Sequence, residues 1–297
     1  MKTIVTGASG VVGTELCDVL RRNGYEVVRT DVNTSEGAVQ LDVRDTSHVI
    51  SLVTGEKPDF VIHLAAETDV DRCEVDVDHA YRTNALGTWN VALACQKQDI
   101  LMVYVSTAGV FDGAKTESYT EFDEPNPVNV YGRSKLQGEK FVRQLLSKFF
   151  IVRASWMIGG GPKKDKKFVG KIIQQLDAGA KELKAVNDKI GSLTYAPDFS
   201  ECLVKLVERR LYGTYHLANK GTCTRYDVAR HVLDHLRRKE VVLRAVTSDA
   251  FVLPAPRARS EMLRNYVLEL MDLNSMRDWQ EALDDYLDRH FSHASHA

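Results

Sequence analysis

Long apolar runs are missing from this 297-residue sequence, and none approaches the roughly eighteen residues that a membrane-spanning helix requires. Also missing is a basic-then-apolar leader ahead of the first strand-like segment, "MKTIVTG", so the chain is expected in the cytoplasm and away from membranes. Cysteine is scarce and unpatterned. Cys17, Cys73, Cys95, Cys202 and Cys223 are odd in number and include no Cys-x-x-Cys pair. That argues against a disulfide framework or a zinc site, and for small buried side chains in a reducing compartment. Neither sign of charge dominates: 39 basic residues face 41 acidic ones, so no global field marks a nucleic acid or a lipid surface as partner. Any anionic ligand must be met by local charge. The sequence holds no internal repeat and no low-complexity block. His290, His293 and His296 recur every three residues at a polar terminus, the pattern of a frayed tail rather than a ligand set, and no metal is expected.

What is present is enough apolar material, 44% of residues, for a substantial core without staples. The short apolar runs "KTIVTG", "YEVVRTD", "DFVIHLAA", "LMVYVST" and "FFIVRAS" alternate with amphipathic segments. Such alternation predicts an α/β fold, a doubly wound parallel sheet with helices on both faces. After Arg153 the rhythm loosens into a loop, "GGGPKKDKK", a helix from about Phe168 to Leu176, a strand-like "GTYHLAN", a helix around Arg225 to Arg237, and the segment "VLPAPRARSEM". One segment contains a conflict. In "VNVYGRSKLQGEKFVRQLL", Tyr131, Lys135, Gly138, Val142 and Leu145 share one helical stripe of the kind that packs against a core, where a lysine is out of place unless its chemistry is needed there.

Directly after the first strand comes "TGASGVVGTELCDVL", with Gly7, Gly10 and Gly13 in a Gly-x-x-Gly-x-x-Gly array. A tight turn with bare backbone lets a pyrophosphate sit against the free amides and positive end of the following helix, which Val11 and Val12 open. The context fits on both sides: a strand precedes, and a helix with Leu16, Val19 and Leu20 on its inner face follows. Asp31 stands eighteen residues past Gly13, at the end of the second strand, placed to accept hydrogen bonds from an adenosine ribose. That favours NAD(H). Arg29, two residues back on the same strand face, leaves NADP(H) open. The predicted division is a dinucleotide-binding domain over 1–153, to which 190–220 return, and a smaller α/β substrate domain of 154–189 and 221–297.

The glycine spacing resembles that of the extended short-chain dehydrogenase/reductase superfamily, and other pieces follow in its order. "LDVRD" resembles the adenine-contacting pair, here Asp42 and Val43; "HLAAETDVD" implies Ala65 and Ala66 against the cofactor; "TNALGTWNV" carries Asn84 in the matching helix. "YVSTAGVFDG" supplies Ser106 and Thr107 at the end of the next strand. Tyr131 and Lys135, four apart on a helix, stack on one face, so a cationic Lys135 would stabilise phenolate over phenol. An unperturbed tyrosine, with a pKa of about 10, is a sluggish proton carrier at neutral pH. The reading is a carbonyl-reduction site: Tyr131 as acid, Lys135 as pKa shifter and ribose anchor, Thr107 with Ser106 as carbonyl clamp, and hydride from the cofactor.

Over nearly the whole chain, "STAGVFDG", "YGRSKLQGE", "VRASWMIGGG", "KFVGKII", "YAPDFSECLVKLV", "GTYHLAN" and "PRARSEML" resemble dTDP-4-dehydrorhamnose reductases and related sugar-nucleotide reductases. The resemblance implies hydride delivery to the C4 keto group of a nucleotide-linked 4-keto-6-deoxyhexose. It also implies Trp156 against the sugar and Arg257 on the diphosphate. Lys163, Lys164, Lys166 and Lys167 are placed to draw in that diphosphate. The partners implied are a nucleotide-diphosphate sugar and, with the oligomeric state left open, a second copy in a homodimer; no nucleic acid and no membrane are expected. Where the family reads Ser-Thr-Asp-Tyr-Val-Phe this chain has Ala108 and Gly109 after Thr107, which removes an acid and an aromatic near the sugar. A 4,6-dehydratase, which needs acids there, is disfavoured. A sugar-nucleotide 4-epimerase, and a non-catalytic regulatory subunit of the methionine adenosyltransferase type, remain as alternatives.

Overall fold

The apolar runs become the strands of one large parallel sheet in the computed structural model, which describes residues 1–34 and 37–291. His293 and His296 lie outside the described residues. The strands are β1 (Lys2–Thr6), β2 (Glu26–Asp31), β3 (Val39–Gln40), β4 (Phe60–His63), β5 (Leu101–Thr107), β6 (Phe149–Ala154), β7 (Trp156–Ile158), β8 (Glu182–Val186), β9 (Ile190–Gly191), β10 (Leu193–Tyr195), β11 (Gly213–His216), β12 (Cys223–Thr224), β13 (Val242–Val246) and β14 (Ser260–Glu261). Seven of them form the main sheet in the order β11-β6-β5-β4-β1-β2-β3, all parallel. This is the doubly wound, Rossmann-type arrangement. Its central strands are buried almost end to end because helices cover both faces.

The helices are α1 (Val11–Arg22), α2 (Thr46–Glu56), α3 (Val70–Val75), α4 (Val77–Ala80), α5 (Gly87–Gln98), α6 (Val130–Leu145), α7 (Gly161–Lys164), α8 (Phe168–Asp177), α9 (Ala196–Glu208), α10 (Arg225–His235), α11 (Tyr266–Leu270) and α12 (Trp279–Phe291). Leu16, Val19 and Leu20 of α1 and Phe199 and Leu203 of α9 pack with Val5, Ile62, Val103 and Val152 on one face of the sheet. On the other, Val49 and Val53 of α2, Val91 and Cys95 of α5 and Val142 of α6 pack with Ile4, Val61, Met102 and Ile151. A separate core joins α8, α10 and α12 to β8 and β10. All five cysteines are buried and free. Among the described residues no helix is long and apolar enough to cross a membrane.

From β1 the chain runs outward to β2 and β3, then returns to pair β4 on β1's other side. Their carboxyl ends therefore part company, and a crevice opens at that switch point. After β6 the chain builds the smaller lobe, and with α9 it comes back to the main sheet, where β11 pairs with β6.

Candidate active site

At the first turn, Gly7 has φ +69°, and a Cβ there would stand 2.8 Å from the Ala65 backbone nitrogen. Only glycine lets the β1 turn lie against the end of β4. A Cβ on Gly13 would collide with the Gly7 carbonyl, so α1 can start this close to the turn only with glycine there. The residue before α1, Gly10, offers no side-chain cap, which leaves the first-turn amides of Val11, Val12 and Gly13 to an anion. The cradle fits a dinucleotide pyrophosphate. Gly7, Gly10, Val11, Val12, Gly13, Asp31, Asp42, Val43, Ala65 and Ala66 all line one crevice of about 1140 Å³.

Asp31 accepts from the backbone amides of Ser9 and Asn33, each at 3.0 Å, which holds its carboxylate at the rim of the cradle. Arg29 turns toward the Ala8 carbonyl (3.4 Å) and does not line the crevice. The cation that does line this end is Arg44, paired with Asp42 at 2.6 and 2.9 Å. Its guanidinium holds the Asp42 carboxyl below the usual range. Asn84 departs from expectation. It sits in a π-helical turn, Tyr81–Leu86, fully buried behind the crevice wall. There its amide accepts from Glu67 N (2.8 Å) and donates to Glu67 O (3.1 Å) and Ser134 Oγ (3.0 Å). It positions the loop after β4 rather than lining the crevice.

α6 begins where it does because Asn129 Oδ1 accepts from Gly132 N at 2.8 Å. Tyr131 and Lys135 then face the crevice, Tyr131 half-buried and Lys135 only 3% exposed. Lys135 Nζ donates to the Val105 carbonyl (2.8 Å) and lies 4.2 Å from the centre of the Tyr104 ring. Burial pulls Lys135 down to about 7, with Glu139 opposing. Burial likewise pushes Tyr131 up to about 12, with a hydrogen bond from Thr107 opposing. In the protein alone the phenol therefore shifts opposite to the lowering expected from Lys135: loss of water outweighs the Thr107 hydrogen bond, and the Lys135 amine is turned onto Val105.

The clamp is divided. Side chains alternate along β5, so Thr107 turns its hydroxyl toward Tyr131 while Ser106 turns the other way and donates to Glu139 Oε1 at 2.7 Å. A carboxylate only accepts, so Ser106 has spent its single proton and is not a second donor to a carbonyl. Glu139 itself was not anticipated. Burial would raise its carboxyl, but Arg153 and Ser106 outweigh that and hold it below the usual range. Arg153 grips it at 2.9 and 2.7 Å, with both side chains at most 2% exposed. Its place four residues after Lys135 on the inward stripe was the available sequence signal.

At the far end Trp156 lines the crevice and donates from Nε1 to Glu261 Oε2 at 2.6 Å. Arg257 lines it as well, paired with Asp71 at 2.9 Å. Arg225, which no local signal distinguished, lays its guanidinium 3.7 Å over Trp156 and 5.0 Å from Phe168. Burial pushes it down to about 10, Glu261 opposing, and it makes no hydrogen bond or ion pair with any described residue. Of the four lysines singled out, Lys167 lines the crevice and reaches the Thr68 carbonyl (3.3 Å), while Lys164 holds Thr14 (2.6 Å) outside it. Lys163 and Lys166 do not line it.

A family model described as the RmlD substrate binding domain matches residues 1–291. The spore coat polysaccharide biosynthesis protein SpsK of Bacillus subtilis is 34% identical over 287 residues, 96% of each chain. A dTDP-4-dehydrorhamnose reductase of Mycolicibacterium smegmatis is 34% identical over 96% of this chain and 84% of its own. Among solved structures, a dTDP-4-dehydrorhamnose reductase from Clostridium acetobutylicum superposes with a TM-score of 0.91 at 38% identity, covering 97% of this chain and 99% of that one. The enzyme of that name from Bacillus anthracis, in complex with NADP, gives 0.90 at 35% identity with the same coverage.

Proposed function

The chain belongs to the family of the RmlD substrate binding domain, and from that premise we propose that it reduces the C4 keto group of a nucleotide-activated 4-keto-6-deoxyhexose at the expense of NADH or NADPH, with dTDP-4-dehydrorhamnose as the type substrate. The observation that carries this reading is a single crevice with the glycine cradle at one end, Tyr131 and Thr107 in the middle, and Trp156, Arg225 and Arg257 at the other. Its volume of about 1140 Å³ exceeds the roughly 300–1,000 Å³ of ordinary small-molecule sites, room for a dinucleotide and a second ligand together.

When bound, the reduced nicotinamide supplies the hydride. The Thr107 hydroxyl and the Tyr131 phenol hold the carbonyl oxygen between them. With its pKa near 12, Tyr131 is fully protonated at neutral pH, so the acid is loaded before the ketone arrives. As negative charge develops on that oxygen, the phenol passes its proton across. Lys135, poised to titrate near 7, takes up charge most readily when a phenolate forms on the same helix face. The sum is ketone, NAD(P)H and a proton giving alcohol and NAD(P)⁺. Arg225, with donors free and a rigid aromatic backing, is the residue we assign to the diphosphate. Ala108 and Gly109, both buried, bring no acid beside Thr107, which speaks against 4,6-dehydration.

The test is to mix the protein with NADH or NADPH and a dTDP-4-keto-6-deoxyhexose and to follow reduced-cofactor absorbance and product configuration. Stoichiometric consumption of cofactor with one alcohol formed is expected. Interconversion of 4-epimers without net consumption would mark an epimerase, and cofactor binding without turnover a regulatory subunit.

A further inference from the structure

We propose a divalent transition-metal site of the zinc class between α10 and α12, built by His231, His235 and Asp284 with Asp288 at its edge. His231 and His235 stand four residues apart on α10, so their rings project from one face, one turn apart, with planes 21° from parallel. Opposite them α12 presents Asp284 and Asp288 at the same spacing. Asp284 Oδ1 is 2.7 Å from His231 Nε2 and 2.8 Å from His235 Nδ1, while Asp288 Oδ1 is 2.9 Å from His235 Nε2. One donor atom from each of His231, His235 and Asp284 falls within 4.8 Å of the others.

Zinc bonds to imidazole and carboxylate run to about 2.0–2.2 Å, which sets tetrahedral donors roughly 3.3 Å apart. Two of the three pairs already stand near that spacing, Asp284 being 2.7 and 2.8 Å from the two histidines. Two imidazoles with carboxylate select zinc, nickel or copper over magnesium or calcium, which prefer all-oxygen shells. The arrangement around His235 points the same way. Each of its ring nitrogens faces a carboxylate oxygen, which only accepts, so the geometry suits a ring that holds a metal on one side and a proton on the other. A metal on Nδ1 with a proton on Nε2 satisfies both, and Asp288 then orients the liganding ring as an outer-shell acceptor. The Trp279 ring, 5.4 Å from that of His231, walls off one side, and the remaining coordination position opens to water. The same α10 begins at Arg225, so a metal joining its last turns to α12 would steady the helix that presents Arg225 to the crevice. The site does not depend on the reductase reading.

The full-length protein, stripped with chelator, should bind one zinc per chain by calorimetry and take up cobalt with the visible absorption of a low-coordinate N/O site. His231→Ala and His235→Ala should each weaken zinc at least about tenfold, the least expected for losing a direct ligand. A His293→Ala/His296→Ala variant controls for the tail and should bind as the parent does. His235→Gln separates folding from ligation: without metal it should melt near the parent, and it should lose the zinc-induced rise in Tm. Equal zinc affinity in the parent and the His231→Ala/His235→Ala double variant, loss of binding only in the tail variant, or no binding at millimolar zinc would each overturn the proposal.

Discussion

At Lys135 an ammonium is kept inside the protein with one carbonyl and one aromatic face for company, and its titration makes that cost visible. Its folded value of about 7 lies below the 10.5 of the exposed group. Above both values the side chain is neutral in either state and costs nothing. As pH falls from 10.5 toward 7 the unfolded chain takes up a proton that the folded one refuses, so stability declines; below 7 the whole penalty is present. Between about pH 9 and about pH 6.5 the cofactor-free protein should therefore lose on the order of 2 kcal/mol more than Lys135→Met, read from urea unfolding at the two pH values. Tyr131→Phe removes the loaded acid without touching the cradle. Turnover should drop at least about a hundredfold, while NADPH affinity from fluorescence titration stays within about twofold of the parent; unchanged turnover would remove Tyr131 from its role.

The element that organises the site is α6, and three of its residues set its depth. Gly132 leaves space for the Gly109 carbonyl and Gly138 for the Tyr104 hydroxyl, so the helix lies close enough to β5 for Lys135 to reach Val105. Glu139 then fastens the helix to β5 through Ser106 and to β6 through Arg153. Because both charges are out of water, removing one strands the other. Glu139→Ala should cost about 3–5 kcal/mol in chemical denaturation. Glu139→Leu combined with Arg153→Met should recover most of that, since a packed apolar pair leaves no charge unpaired. A double variant no more stable than the single one would mean that the pair fixes geometry beyond its charges.

Over the whole molecule, the proposed function draws on two lobes that line one crevice. The main sheet contributes the glycine cradle, Thr107 and α6, while β7, α10 and the segment around Arg257 close the other end. This division predicts a split in mutant kinetics. Arg225→Ala should raise KM for the nucleotide sugar at least about tenfold, the loss of a charge-assisted contact to diphosphate, with NADPH affinity unchanged. Arg257→Ala should have the smaller effect, because Arg257 is already paired with Asp71.

Much of this was legible locally. The apolar runs are strands because each is short, nearly continuous and bounded by turn residues; the glycine turn reads directly because backbone clearance is a property of the glycines themselves; and the inward lysine of α6 follows from helical period. What the sequence alone determined is therefore what depends on neighbours within a turn or a strand. Only the tertiary structure decided which β5 hydroxyl is free to act, since Ser106 is committed by Glu139, 33 residues away. It also decided that Asn84 props a loop, that Arg225 rather than any other basic residue meets Trp156, and that two histidines of α10 meet an aspartate 53 residues along the chain from the first of them. It set the sign of the Tyr131 shift as well, because burial is a sum over everything packed around a group, and no stretch of sequence contains that sum.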